Sequence, residues 1–140
     1  MKEYDVIAIG TGSSMNIVPA FLQRNPGARA AVIDKDDPGG ICLTRGCIPT
    51  KMLVYPADLV RVIEEAGKFG IDAPIRKIDF GKVMARMRQH VRPQIEAIRR
   101  GLGGSDDIDY YPTTAEFVAP YTLKVGDETI RSKLIFLCLG

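Results

Sequence analysis

Tyr4-Asp5-Val6-Ile7-Ala8-Ile9-Gly10-Thr11-Gly12-Ser13-Ser14-Met15 is the stretch on which the fold turns. The apolar run from Tyr4 to Ile9 reads as a strand, and Gly10 to Gly12 as a tight turn. The pattern from about Gly12 to Arg24 reads as a helix, broken by Asn25-Pro26-Gly27, and a second strand is expected near Arg29 to Asp34. Two parallel strands joined by a crossover helix need about this much chain. In that context the glycines have chemical meaning. Gly10 permits the turn, Gly12 lets backbone approach a pyrophosphate, and the amides of Ser13 and Ser14 open a helix toward anionic oxygens. Asp34 follows Gly10 by 24 residues, where a carboxylate can accept from an adenosine ribose. Met15 stands where a third small residue would let helix and strand pack closely. A glycine pair alone is an ordinary strand-helix turn; strand, helix and spaced acid together point to a dinucleotide.

Beyond this unit, Asp36-Asp37-Pro38-Gly39-Gly40 reads as a loop. From Cys42 or Cys47 the pattern turns helical through Leu53, Val54, Ala57, Leu59, Val60 and Ile63, and Gly67 and Gly70 end it. A second helix is expected from Asp79, its N-cap, to Arg100, with a kink at Pro93. Strands follow at Ile108 to Tyr111, Ala115 to Val118, Thr122 to Val125, Thr129 to Arg131 and Leu134 to Leu139, with a hairpin turn over Val125-Gly126-Asp127-Glu128. The unbroken apolar run Leu134 to Leu139 has the character of a strand buried on both faces, so cover from further chain or a neighbour is expected.

The 140 residues suffice for one real core. With 46% hydrophobic and 26% charged residues, disorder is excluded as the general state. Nineteen basic against 17 acidic residues give a net charge of +2, too little to recruit nucleic acid or an anionic membrane. The basic cluster Arg86, Arg88, Arg92, Arg99 and Arg100 is expected to be a solvated helix face. The opening Met1-Lys2-Glu3-Tyr4-Asp5 leads into an apolar run too short for a signal segment or a membrane span, so a cytoplasmic setting is expected. In a reducing compartment a close cysteine pair is catalytic or metal-binding more often than structural.

The second informative stretch is Gly39-Gly40-Ile41-Cys42-Leu43-Thr44-Arg45-Gly46-Cys47-Ile48-Pro49-Thr50-Lys51. Cys42 and Cys47 can be bridged if the chain between them turns tightly. Cys47 is expected near a helix N-terminus, where unpaired amides favour a thiolate, and Arg45 and Lys51 act in the same direction. Arg45 either lowers the Cys42 pKa, meets an anionic substrate, or faces solvent. A zinc half-site and two unrelated buried cysteines are the alternative readings. Zinc wants four ligands, and only His90 and Cys138 remain, at unsuitable spacing, so no metal site is expected.

On these residues the chain resembles the flavoprotein disulfide reductases. The form Cys42-Leu43 … Gly46-Cys47-Ile48-Pro49-Thr50-Lys51 is most similar to dihydrolipoamide dehydrogenases. Mycothione and mercuric reductases are also similar, and Lys51-Met52-Leu53-Val54-Tyr55 has a mycothione-reductase character. Thr114-Ala115-Glu116-Phe117 corresponds to a family segment whose backbone meets the adenine. Phe136-Leu137-Cys138-Leu139-Gly140 resembles the family's Ala-Thr-Gly segment, with Leu139 in place of the threonine. Ile41 likewise replaces a threonine beside the first cysteine.

The resemblance implies an α/β fold: a Rossmann-like FAD-binding domain with a parallel sheet, crossover helices and a small β-meander. Residues 1–140 would form its N-terminal part, incomplete relative to the family. The NAD-binding domain and the C-terminal interface domain, with its His-Glu pair, would be absent, so the chain alone is not expected to turn over. The implied FAD contacts are Gly10, Gly12, Ser13, Ser14, Asp34, Lys35, Gly40, Ile41, Gly46, Lys51, Ala115 and Gly140. Catalysis would rest on Cys47 as the sulfur nearer the flavin, Cys42 as the one exchanging with a small dithiol or disulfide, and Lys51 beside the flavin edge. NAD or NADP would be the second cofactor of the complete enzyme, a homodimer by family. His90 reads as a surface histidine. The rival class is a non-catalytic FAD-binding or redox-sensing module with the same fold and cysteines.

Overall fold

The computed structural model describes residues 1–140, built around two four-stranded sheets. The first is wholly parallel: β2 (Val6–Ile9) pairs with β3 (Ala30–Ile33) and β8 (Ile135–Leu137), and β3 with β4 (Ile108–Tyr111). The second holds β5 (Ala115–Ala119), β6 (Thr122–Val125) and β7 (Glu128–Arg131) as an antiparallel meander, with β1 (Lys2–Glu3) added in parallel to β7. The meander hairpin turns at Gly126-Asp127 between the paired Val125 and Glu128, as the sequence indicates.

Alternation along β2 and β3 divides the core into two layers. Val6, Ala8, Ala30 and Val32 face Val18 of α1 (Ser14–Arg24) and Leu102 of α4 (Phe80–Gly103). Ile7, Ala31 and Ile33 face Leu123, Val125 and Ile130 of the meander. Both faces of the parallel sheet are therefore covered, the condition under which strands become continuously apolar. Met15 packs against the helix-side core, while Ser14, buried at 1%, donates its hydroxyl to the Gly10 carbonyl. The close approach at the start of α1 thus falls on a serine.

Two further helices carry the cysteines. The helical pattern expected from Cys42 or Cys47 is two helices, a short α2 (Gly40–Thr44) and α3 (Cys47–Glu65). Leu43 of α2 packs with Val91 and Ile95 of α4, which seats the cysteine segment on the long helix. α4 begins at the Asp79 cap, whose carboxylate accepts from the Lys82 amide at 3.0 Å.

The strand expected over Leu134 to Leu139 shortens to Ile135–Leu137 and lies at a sheet edge. Phe136 joins the helix-side core, but Leu137 and Leu139 are exposed, so the segment is not buried on both faces in this chain. The strand expected from Tyr4 to Ile9 begins at Val6, and β1, which precedes it, is a further short strand that joins the meander. No helix is long and apolar enough to cross a membrane.

Tyr4 links the two sheets where the chain passes between them. Its hydroxyl donates to Asp109 of β4 and lies 2.7 Å from the hydroxyl of Tyr111, which donates to Glu128 of β7 at 3.0 Å. Burial, with the Asp109 hydrogen bond adding to it, drives the Tyr4 phenol well above its ordinary pKa of 10.0. A group raised on folding contributes stability that is intact below its unfolded pKa and lost as pH rises above it. Tyr4→Phe should cost about 1 kcal/mol at neutral pH. In denaturant titrations the stability of the unsubstituted protein should also fall from about pH 10 upward more steeply than that of Tyr4→Phe.

Candidate functional site

The C-terminal ends of β2 and β3, the turn Gly10-Thr11-Gly12 and the start of α2 enclose a cleft of about 850 Å³. This is where ligands bind in open parallel sheets. β2 and β3 run in register with Ile9 opposite Ile33, and the Gly10 amide donates to the Ile33 carbonyl at 2.7 Å. Gly10 adopts φ +97°, and a Cβ there would collide with the carbonyl oxygen of Cys138. On the other side of the turn, backbone meets backbone. A Cβ on Gly40, which has φ +68°, would stand 2.5 Å from the Gly12 Cα. Only glycine satisfies both the backbone angle and the contact at this position.

Hydrogen bonds fix the loop between β3 and α2. The Asp34 Oδ2 accepts from the Thr11 amide at 2.8 Å and the Thr11 hydroxyl at 2.6 Å, and Oδ1 accepts from the Asp36 amide at 3.0 Å. Asp36 forms an ion pair with Arg45, and Asp37 one with Arg99 of α4 at 2.5 Å. The Arg45 guanidinium is thereby held by a carboxylate at the cleft rim. Within the basic cluster Arg99 is committed to Asp37 and Glu96, and Arg86, Arg88, Arg92 and Arg100 are exposed on α4. His90 also lies exposed on α4.

Cys42 and Cys47 form a disulfide, with Cα atoms 4.6 Å apart. Cys42 lies within α2 and Cys47 is the first residue of α3. Both are exposed. The first turn of α3 holds no acidic residue and its Gly46 cap offers no side-chain acceptor, so the positive end of the helix is left to the Cys47 sulfur. Cys138, the third cysteine, is free and half-buried. No cluster of three or more His, Cys, Asp or Glu residues is arranged to hold a metal ion.

Of the residues singled out in the sequence, Gly10, Gly12, Ser13, Asp34, Lys35, Gly40, Ile41, Cys42, Ala115 and Gly140 line the cleft together. Ser14, Gly46, Cys47 and Lys51 do not: Ser14 is turned inward, and the other three sit around the junction of α2 and α3. Asn16, Thr113 and Cys138 line it without having been singled out for the cleft. Thr11 is a further omission that no local pattern marks, because only the parallel register of β2 and β3 sets its turn beside the end of β3.

Fold and site define a Rossmann-type α/β unit whose glycine turn abuts a cysteine-bearing helix. No protein-family profile matches the chain. It is 37% identical over 123 residues to mycothione reductase of Mycobacterium tuberculosis strain H37Rv, covering 84% of this chain and 25% of that protein. It is 36% identical over 145 aligned positions to dihydrolipoyl dehydrogenase of Chlamydia pneumoniae, covering 99% and 30%. The copper(II) complex of the HOCl-induced flavoprotein disulfide reductase RclA from Escherichia coli superposes with a TM-score of 0.77 at 27% identity, covering 100% of this chain and 29% of that one. Sequence and fold together show that the chain belongs to the flavoprotein disulfide reductase family. It spans 25% to 30% of the length of these relatives.

Gly40→Ala should force the Gly12 turn and α2 apart, because neither backbone can yield cheaply at 2.5 Å. We expect a loss of about 1–3 kcal/mol by chemical denaturation. Gly27→Ala also places a side chain at positive φ but meets no neighbour within 4 Å, and should cost less.

Proposed function

We propose that this chain is the N-terminal part of the FAD-binding domain of an NAD(P)H-linked disulfide oxidoreductase of dihydrolipoamide dehydrogenase type. The observation that carries the reading is the placement of Cys42, one half of a disulfide, on the lining of the same cleft that the Gly10–Gly12 turn lines. The site fits the group, because glycine backbone at Gly10, Gly12 and Gly40 lines the cleft together with Ser13 and the Asp34 carboxylate, the kinds of group that meet a pyrophosphate and a ribose. Gly10, Gly12 and Ser13 would hold the pyrophosphate, with the buried Ser14 shaping the turn. Asp34 and Lys35 would hold the adenosine ribose, Ala115 the adenine, and Gly40, Ile41, Gly46, Lys51 and Gly140 the remainder. When bound, FAD supplies the two-electron relay between the cysteine dithiol and the nicotinamide.

The protein's own chemistry is thiol–disulfide exchange. A substrate thiolate attacks the exposed Cys42 Sγ, forming a mixed disulfide and expelling Cys47 as thiolate. The α3 N-terminus stabilises that leaving group. The second substrate thiolate then attacks the substrate sulfur of the mixed disulfide, closing the substrate disulfide and releasing Cys42 as thiolate. The substrate loses two electrons, the cysteine pair gains them, and both protons leave in ionising the substrate thiols. Lys51, four residues along α3 from Cys47, adds positive charge one turn beyond the sulfur that the family resemblance assigns as nearer the flavin. The complete protein would be a cytoplasmic homodimer, with its acid–base pair supplied from outside these residues. A disulfide of mycothione type is the second reading, supported by the 37% identity to that reductase.

Cys47→Ser should trap a stable mixed disulfide at Cys42 when mixed with a linear small-molecule disulfide, whose other half leaves as thiolate, detected by intact mass, whereas Cys42→Ser should accumulate several-fold less. Equal trapping at both cysteines, or at neither, contradicts the assigned order of attack.

A further inference from the structure

Thr11 is fully buried between the two turn glycines, and its hydroxyl serves two partners at once. It donates to the Asp34 Oδ2 at 2.6 Å and accepts from the Gly39 amide at 2.9 Å. The directions are fixed: an ionised carboxylate only accepts, an amide only donates, and the hydroxyl has one proton. The Thr11 amide gives Asp34 Oδ2 a second bond at 2.8 Å, and the Asp36 amide occupies Oδ1 at 3.0 Å. A carboxylate has about four acceptor positions, so Asp34 retains about one for a ligand. Gly39 is the N-cap of α2, the helix that carries Cys42.

We propose that Thr11 is a positioning residue: its hydroxyl orients Asp34 for the ribose of a bound nucleotide and, through the same atom, anchors the start of the cysteine-bearing helix. The ribose half of this assignment rests on the proposed function; the anchoring half does not. A methyl group in place of the hydroxyl would leave the Gly39 amide without its acceptor and remove one donor from Asp34. Serine keeps the hydroxyl and so should keep both partners.

Thr11→Val and Thr11→Ser separate this role from simple space-filling. The probes are amide hydrogen exchange at Gly39 without any nucleotide, and calorimetric binding of ADP, which carries the ribose and pyrophosphate but no flavin ring. In Thr11→Val, Gly39 exchange should accelerate about tenfold or more and the ADP dissociation constant should rise about tenfold. Thr11→Ser should stay within about threefold of the unsubstituted protein in both. Unchanged Gly39 exchange in Thr11→Val overturns the proposal. Altered exchange together with no ADP binding even by the unsubstituted protein upholds the anchor, and overturns the ribose role and the nucleotide reading of the cleft. If Thr11→Val does not fold, Thr11→Ala replaces it: Gly39 exchange faster than in Thr11→Ser supports the anchor and equal exchange refutes it.

Discussion

The contact between the Gly12 and Gly40 backbones joins the two halves of this protein's chemistry. The turn after β2 and the start of the cysteine helix come from separate elements, yet a Cβ on Gly40 would meet the Gly12 Cα at 2.5 Å. No side chain can mediate so close an approach. The glycines therefore set how far Cys42 stands from the Gly10–Gly12 turn, and the hydrogen bonds of Thr11 and Asp34 hold that spacing. Leu43 secures the other side through α4, so the short helix is fixed from two directions.

This arrangement needs a rigid platform, which the double burial of the parallel sheet provides. Ile7 and Ile33 point to the meander while Ala8 and Val32 point to α1 and α4, all nearly inaccessible. Cores packed to this density transmit displacement rather than absorb it. The ends of β2 and β3 are accordingly where small backbone differences would reach the cleft.

Much of this was legible in the sequence because it depends on local pattern. The βαβ unit, the Asp79 cap, the long helix and the hairpin at Gly126 all follow from periodicity and turn chemistry. What escaped depends on contacts remote in sequence. β1 is two residues long and exists only because β7 offers it an edge, and α2 is five residues with no side-chain cap. The role of Asp34 was expected to be outward, toward a ligand; the hydroxyl that claims it lies 23 positions earlier, and only the parallel register brings the two together. The cysteine pair was readable by motif, but its separation from the cleft on the Cys47 side was not, since it depends on where α2 ends and α3 begins.

The most direct test of the central claim, that this cleft holds FAD beside a redox disulfide, is a titration of the protein with FAD followed by backbone amide chemical shifts. The account predicts saturable one-to-one shifts concentrated at Gly10, Gly12, Ser13, Gly40 and Ala115. Absence of saturable binding, or shifts confined to surfaces away from the turn and α2, would contradict it.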